Sequence, residues 1–294
     1  MPNSTSGTSA SPPQVVVLAA PNRPEIFAQA QALLPEITKL APAELLPISP
    51  ELNLADHQFS LAVVVGGDGS ILRAAHQMGT QQRPVVGVNM GKLGFLADLT
   101  VEEFLDELPN IIAGQYSVIE HLMFDCQLHR TGSTVCKHLG LNEVAVLSGP
   151  PFAILDVDLY VDAEWVTTYS CDGLIVSTPV GSTAHNLSAG GPILRQDLQA
   201  FVVSPISPHT LTNRPVVDSA ERVYELVVPR PHQGTSLVAD GRLLDTLQTD
   251  DRVRITRAEP RFQLVKLAGR GYYRTLREKL GWGGQLRLNH EQPK

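Results

Sequence analysis

The chain has 294 residues, 43% hydrophobic and 18% charged, which is enough apolar material for one or two cored domains and excludes wholesale disorder. Twenty-three basic residues against 30 acidic ones leave a net charge of −7, which argues against a general nucleic-acid binder. A locally positive pocket for a small phosphorylated ligand remains compatible with that charge.

In chain order, residues 1–13 are rich in Ser, Thr, Pro and Gly and read as a disordered tail without the features of a secretory signal. Gln14–Ala19 is a β-branched run, and Glu25–Leu40 has helical spacing at Ile26, Ala30, Leu33 and Ile37. Leu61–Val65 is apolar throughout, as a buried parallel strand requires, and ends at Gly66. Ser70–Met78 reads as a helix, Pro84–Val88 as a short strand and Val101–Ala113 as a further helix. The sum is an α/β arrangement with glycines at the strand exits.

After about Gln115 alternating segments dominate. Strands are expected at Ser117–His129, Leu141–Leu147, Ala153–Val161, Trp165–Tyr169, Leu174–Ser177, Ala200–Val203, Val223–Val228, Val253–Arg257 and Phe262–Leu267. Tyr272–Leu280 returns to helical spacing and is expected to pack on the first domain. The reading is a two-domain α/β chain. An N-terminal α/β domain spans 14–115 and is joined by a C-terminal segment at 268–290, and a β-rich, sandwich-like domain spans 116–267. Three cysteines with no Cys-x-x-Cys pair suit a reducing, cytoplasmic setting, and apolar runs as short as Leu61–Val65 predict no membrane span.

Two stretches carry chemistry. In Val65-Gly66-Gly67-Asp68-Gly69-Ser70, a buried strand runs through glycines into a helix, where backbone N–H groups can approach a phosphate. Asp68 repels phosphate by itself and suits a metal-associated or proton-accepting group beside the reacting atom. The alternative is a glycine-rich turn in which Asp68 caps the helix. Neither the P-loop nor the Gly-x-Gly-x-x-Gly pattern is present.

The second stretch runs from Asp172 to Pro192. A strand enters a turn with hydroxyls at Thr178, Ser182, Thr183 and Ser188, and a short helix is expected at about Ser182–Ala189. It reads as a binding surface, with a structural crossover as the alternative.

Gly66–Gly69, Asn142-Glu143 and Thr178–His185 followed by Leu187–Pro192 together resemble the NAD kinase family. Asn89–Leu99, Ser207–His209, Asn213–Pro215, Asp240-Gly241 and Leu276–Trp282 extend the resemblance over roughly residues 60–282. It implies the family's two-domain fold with the site between the domains. It also implies transfer of a phosphoryl group from ATP, or polyphosphate, to the 2′-hydroxyl of the adenosine ribose of NAD. Mg²⁺ or another divalent metal would assist, and a homodimer or homotetramer is expected.

Residue by residue, the resemblance puts Asp68 at the reaction centre and Gly67 and Gly69 on phosphate oxygens. It sets Asn142 and Glu143 against the adenosine, where a carboxylate suits the ribose diol, and Asp172 near the nicotinamide end. Thr183, Ala184 and Ser188 would line the NAD site, and Phe95 would wall the adenine or simply belong to the core. Arg73, Lys92, Arg195, Arg214 and Arg242 are candidates to neutralise donor phosphate. Metal ligands are not assigned.

Two positions depart from the pattern. Val180 stands where Thr is usual, and His185 stands where a ligand-packing Tyr is usual, which puts affinity and pH dependence in question. His209 reads equally as a structural histidine or a ligand contact. A lipid or sphingoid kinase and a non-catalytic NAD-binding regulator are the alternatives. The Asn142-Glu143 pair argues against the first and the presence of Asp68 against the second.

Overall fold

The computed structural model describes residues 12–91, 93–150, 153–210, 212–268 and 272–281. Most of the tail read as disordered, Lys92, and 269–271 and 282–290 of the C-terminal segment lie outside the described residues. The elements begin β1 Val15–Ala19, α1 Pro24–Thr38, β2 Ala43–Pro47, β3 Leu61–Val65, α2 Asp68–Met78, β4 Val85–Val88 and α3 Val101–Ile112. They continue β5 Ser117–His121, β6 Phe124–Arg130, β7 Ser133–Gly140, β8 Glu143–Leu147, β9 Leu155–Val161, β10 Glu164–Cys171, β11 Gly173–Ser177 and α4 His185–Ser188. The remainder are β12 Ala200–Ile206, β13 Val216–Ser219, β14 Tyr224–Val227, β15 Ser236–Ala239, β16 Arg242–Thr246, β17 Arg252–Arg257, β18 Phe262–Lys266 and α5 Tyr272–Leu280.

The chain divides into two compact units. Of the described residues, the first takes those up to Ala74, Arg83–Val118 and those from Leu264 on, and the second takes Ala75–Gln82 and Ile119–Gln263.

The first unit carries a sheet ordered β2-β1-β3-β4-β18-β5, parallel at every pairing from β2 to β18. Every residue of β1, β3 and β4 is buried, which is why these strands read as unbroken apolar runs. α1 turns Ala30, Leu33 and Ile37 inward, and α3 does the same with Phe104, Leu108 and Ile111. Thr100 and Glu103 form a reciprocal capping box that starts α3. From β1 the chain steps to β2 on one side and then to β3 on the other. The crevice at that reversal is where open α/β sheets bind ligands.

The second unit is a sandwich of two antiparallel sheets, ordered β10-β9-β14-β17-β6-β7 and β13-β12-β11-β8-β15-β16. Alternate residues of each, among them Cys126, Leu128, Val253 and Ile255 on one side and Val144, Val146, Leu174 and Val176 on the other, merge into one core.

Three expectations change in detail. Ser117–His129 is two strands in different sheets, interrupted at Leu122-Met123, both fully buried. The helix expected at Ser182–Ala189 is a 3₁₀ turn at Gly181–Thr183 followed by α4, with a break at Ala184 (φ −105°, ψ −124°). The strand read at Phe262–Leu267 joins the parallel sheet beside β4. Among the described residues no helix is long and apolar enough to cross a membrane.

Candidate functional site

In the first unit, β3 leaves its sheet at Gly66. There φ is +144°, and a Cβ would stand 2.5 Å from Ser70 Oγ, so only glycine fits. α2 begins two residues later at Asp68. The Asp68 carboxylate reaches the loop after β4: Oδ2 accepts from the Phe95 N–H at 2.9 Å, and Oδ1 from the Leu96 and Ala97 N–H groups at 3.0 Å each. Asp68 therefore ties the glycine turn to a second loop, a role neither sequence reading included. Gly67 and Gly69 are exposed, and a Cβ on either would meet no described atom within 4 Å. The space beside both backbones is open to a ligand.

Arg73 is exposed one turn further along α2. A cavity of 230 Å³ is lined by Ala20, Asn22, Arg23, Gly67, Gly69, Ser70 and Arg73. Its walls are the exits of β1 and β3, the two strands that flank the topological reversal. The start of α2 adds the positive end of a helix dipole there. Arg23 and Asn22 escaped the sequence reading, although their place just before Pro24 at the head of α1 was the available signal. Phe95 is half-buried, with Lys279 Nζ of α5 5.5 Å from its ring centroid.

In the second unit, Glu143 opens β8 and is 6% exposed. Its carboxyl accepts the backbone N–H of His185, while Oε2 is buried with no hydrogen-bond partner among the described residues. Burial first, and the neighbouring charge of Asp240 second, push its pKa up to about 8. Asp240 is the residue whose role went unread. Its side chain is fully buried. Oδ1 accepts from the N–H groups of Asn142 (2.7 Å) and Glu143 (3.1 Å), and Oδ2 from that of Leu141 (2.8 Å). His76 Nε2 lies 2.7 Å from the same Oδ2. The Asp-Gly hairpin between β15 and β16 was the signal for it.

The hydroxyls of the long motif are mostly spent inside the protein. Thr178 donates to the Leu141 carbonyl, Ser182 to that of Pro179 and Thr183 to that of Val180. A Cβ on Gly181 would stand 2.1 Å from the Asn142 carbonyl oxygen, so glycine lets the turn seat against Asn142-Glu143. Asn186 is fully buried. It donates to the Ser182 and Pro192 carbonyls and accepts from Ser204 Oγ. This lattice leaves Ala184 and His185 half-buried and Ser188 exposed. Burial lowers the His185 pKa. Asp172 is half-exposed, with His209 Nε2 3.7 Å from its Oδ1.

Two family descriptions match the chain: the ATP-NAD kinase N-terminal domain over residues 27–116 and the ATP-NAD kinase C-terminal domain over 141–267. The NAD kinase of Rhodopirellula baltica is 54% identical over 279 residues, covering 94% of this chain and 89% of that one. The chain belongs to the NAD kinase family. The NAD kinase of Geobacter sulfurreducens is 40% identical over 76% of this chain and 78% of its own.

Among solved structures, an NAD kinase from Archaeoglobus fulgidus in complex with ATP superposes with TM-score 0.76 at 29% identity, covering 91% of this chain and 98% of that one. Yeast NADH kinase complexed with NADH gives TM-score 0.82 at 23% identity over 95% and 90%, a likeness of fold. Asp68 and Phe95 fall in the N-terminal NAD kinase segment, and Asn142, Glu143, the 172–192 motif and Asp240 fall in the C-terminal one. Arg23 and His138 lie outside both segments.

Proposed function

We propose that this chain phosphorylates the 2′-hydroxyl of the adenosine ribose of NAD, with ATP as donor, to give NADP. The observation that carries the acceptor assignment is Glu143. A buried carboxyl with one unpartnered oxygen is costly to keep unless a ligand completes it. A ribose diol supplies two O–H donors for it, and the Asn142 side chain lies next to it in sequence.

Gly67, Gly69 and the start of α2 offer backbone N–H groups to donor phosphates, and Arg23 and Arg73 in the same cavity offset their charge. Asp68 acts at the reaction centre. Its two oxygens take three backbone N–H bonds, whereas a carboxylate has about four lone-pair positions, so one hard oxygen position remains. That fits Mg²⁺ bound largely through the nucleotide's own phosphates. The metal supplies neutralisation of charge on the transferring phosphoryl group. Asp68's own part is to be held in place by the 95–97 loop and to offer that one position beside the reacting atom, either to the metal or to the proton of the attacking hydroxyl. Phe95, Asp172, Thr183, Ala184, His185 and Ser188 contribute dinucleotide contacts, the Thr183 hydroxyl as an acceptor because its proton is donated to Val180.

We further read the chain as a cytoplasmic homo-oligomer. The free cysteines support the compartment. Exposed Trp165, Val166, Val216 and Val217 on the edge strands β10 and β13 support self-association. The deciding experiment gives purified protein NAD and Mg²⁺ with either ATP or polyphosphate and measures NADP. NADP with ATP is expected. Its absence with both donors, alongside phosphorylation of another acceptor, overturns the reading.

A further inference from the structure

The reaction proposed above makes no use of His138. It sits on β7 opposite Cys126 of β6, and its Nε2 is buried with no hydrogen-bond partner among the described residues. Its ring stands edge-on to His76, with centroids 4.8 Å apart. His76 in turn lies 2.7 Å from Asp240 Oδ2. One ligating atom from each of the three falls within 4.8 Å of the others. A buried imidazole nitrogen without a partner is a cost that a bound cation removes.

We propose that His76, His138 and Asp240 form a binding site for a divalent transition metal, best suited to Zn²⁺. Two imidazole nitrogens and one carboxylate oxygen are a zinc donor set, whereas Mg²⁺ takes oxygen ligands. With bonds of 2.0–2.1 Å in a tetrahedron, donor atoms stand about 3.3 Å apart. The His76–Asp240 pair opens slightly to reach that spacing, and rotation of one imidazole closes the wider gap.

Two features prepare the site. The N–H groups of Leu141, Asn142 and Glu143 fix the Asp240 carboxylate, the kind of outer support that orients metal ligands. The His138 Nε2 is buried with no hydrogen-bond partner among the described residues, so no protein group occupies it. The fully buried Asp240 carboxylate offsets the cation's charge. The fourth position is left to water. The site is independent of the kinase reading.

The test uses the full chain, stripped with a chelator and dialysed. Zn²⁺ is titrated with metal analysis, and Co²⁺ is titrated while its visible absorption is recorded. Expected are one Zn²⁺ per chain and intense Co²⁺ bands of a four-coordinate site. His138→Ala and His138→Gln should each weaken binding at least roughly tenfold, and His57→Ala should not. X-ray absorption of the zinc-loaded parent should count two imidazoles, a result that needs no variant to fold. No stoichiometric Zn²⁺ in the parent, unchanged binding in both His138 variants, or fewer than two imidazoles overturns the site. NADP formation in the same samples reports separately on the kinase reading.

Discussion

Gly94 passes so close to Asp68 that a Cβ on it would stand 2.1 Å from Oδ1. The aspartate at the proposed reaction centre is therefore positioned by a glycine 26 residues away as well as by its own turn. Gly94→Ala should push the carboxylate off the Phe95, Leu96 and Ala97 N–H groups. Asp68→Asn keeps the space but leaves one oxygen to accept, orphaning at least one of those N–H groups at a cost of about 1–3 kcal/mol. Both variants should lose kcat far beyond what their Tm loss explains. A kcat within about threefold of the parent, only ~0.7 kcal/mol of barrier, would remove Asp68 from the reaction centre.

Glu143 gives a stability prediction with a definite sign. Its pKa rises from an ordinary 4.5 to about 8 in the folded chain. Below about pH 4.5 the carboxyl is protonated in both states. Between there and about pH 8 the unfolded chain has released the proton while the folded chain keeps it, so stability falls as pH rises, by at most ~1.4 kcal/mol per unit. Above about 8 the loss is complete. Glu143→Gln cannot titrate, so its Tm relative to the parent should climb across this window. A difference constant from about pH 5 to about pH 8 contradicts the buried neutral carboxyl.

The same residue couples ligand binding to protons. A diol donating to Glu143 favours the carboxylate, so NAD should release close to one proton near pH 7. Calorimetry in buffers of different ionisation enthalpy reads this directly. Glu143→Gln should abolish the buffer dependence and weaken NAD more than ATP, by roughly 1.5–3 kcal/mol. A parent without buffer dependence would place the diol elsewhere.

His185 is half-buried and its pKa lies below the ordinary imidazole value, so it is neutral at physiological pH. The ratio of NAD affinities between the parent and His185→Tyr should therefore be flat from about pH 7 upward and change only on the acid side, any slope shared by both forms belonging to Glu143. His185→Tyr should bind NAD at least as well, through a larger rigid ring, and His185→Ala more weakly. Identical Kd curves for all three forms would remove the side chain from the site and leave only its backbone N–H on Glu143.

The central elements were legible because burial wrote them plainly. Leu61–Val65 is buried at every position, and α1 shows its inward face at Ala30, Leu33 and Ile37. The edge strands β2 and β7 were not. Ala43–Pro47 and Ser133–Gly140 are half-exposed, so no apolar alternation marks them. Motifs located Asp68 and Glu143 but not what holds them. Asp68's loop contacts and the Thr178 bond to the Leu141 carbonyl depend on chain folding back from elsewhere, whereas Ser182 and Thr183 turn to carbonyls three residues back. Asp240 acts from 97 positions along the chain, a distance that local pattern does not report.

Asp240 and Gly241 are the two central residues of the β15–β16 hairpin, and both have positive φ, 46° and 73°, as a type I′ turn requires. Position 240 thus answers to two selections at once. Backbone shape admits Gly, Asn and Asp, and the three backbone donors spread over both oxygens admit only a paired-oxygen acceptor. The intersection is a single amino acid. In a saturation library this codon should behave as almost binary, and the flanking hairpin positions, judged on shape alone, should drift freely. Chemistry delegated to a turn gains a fixed address and gives up nearly all room to vary.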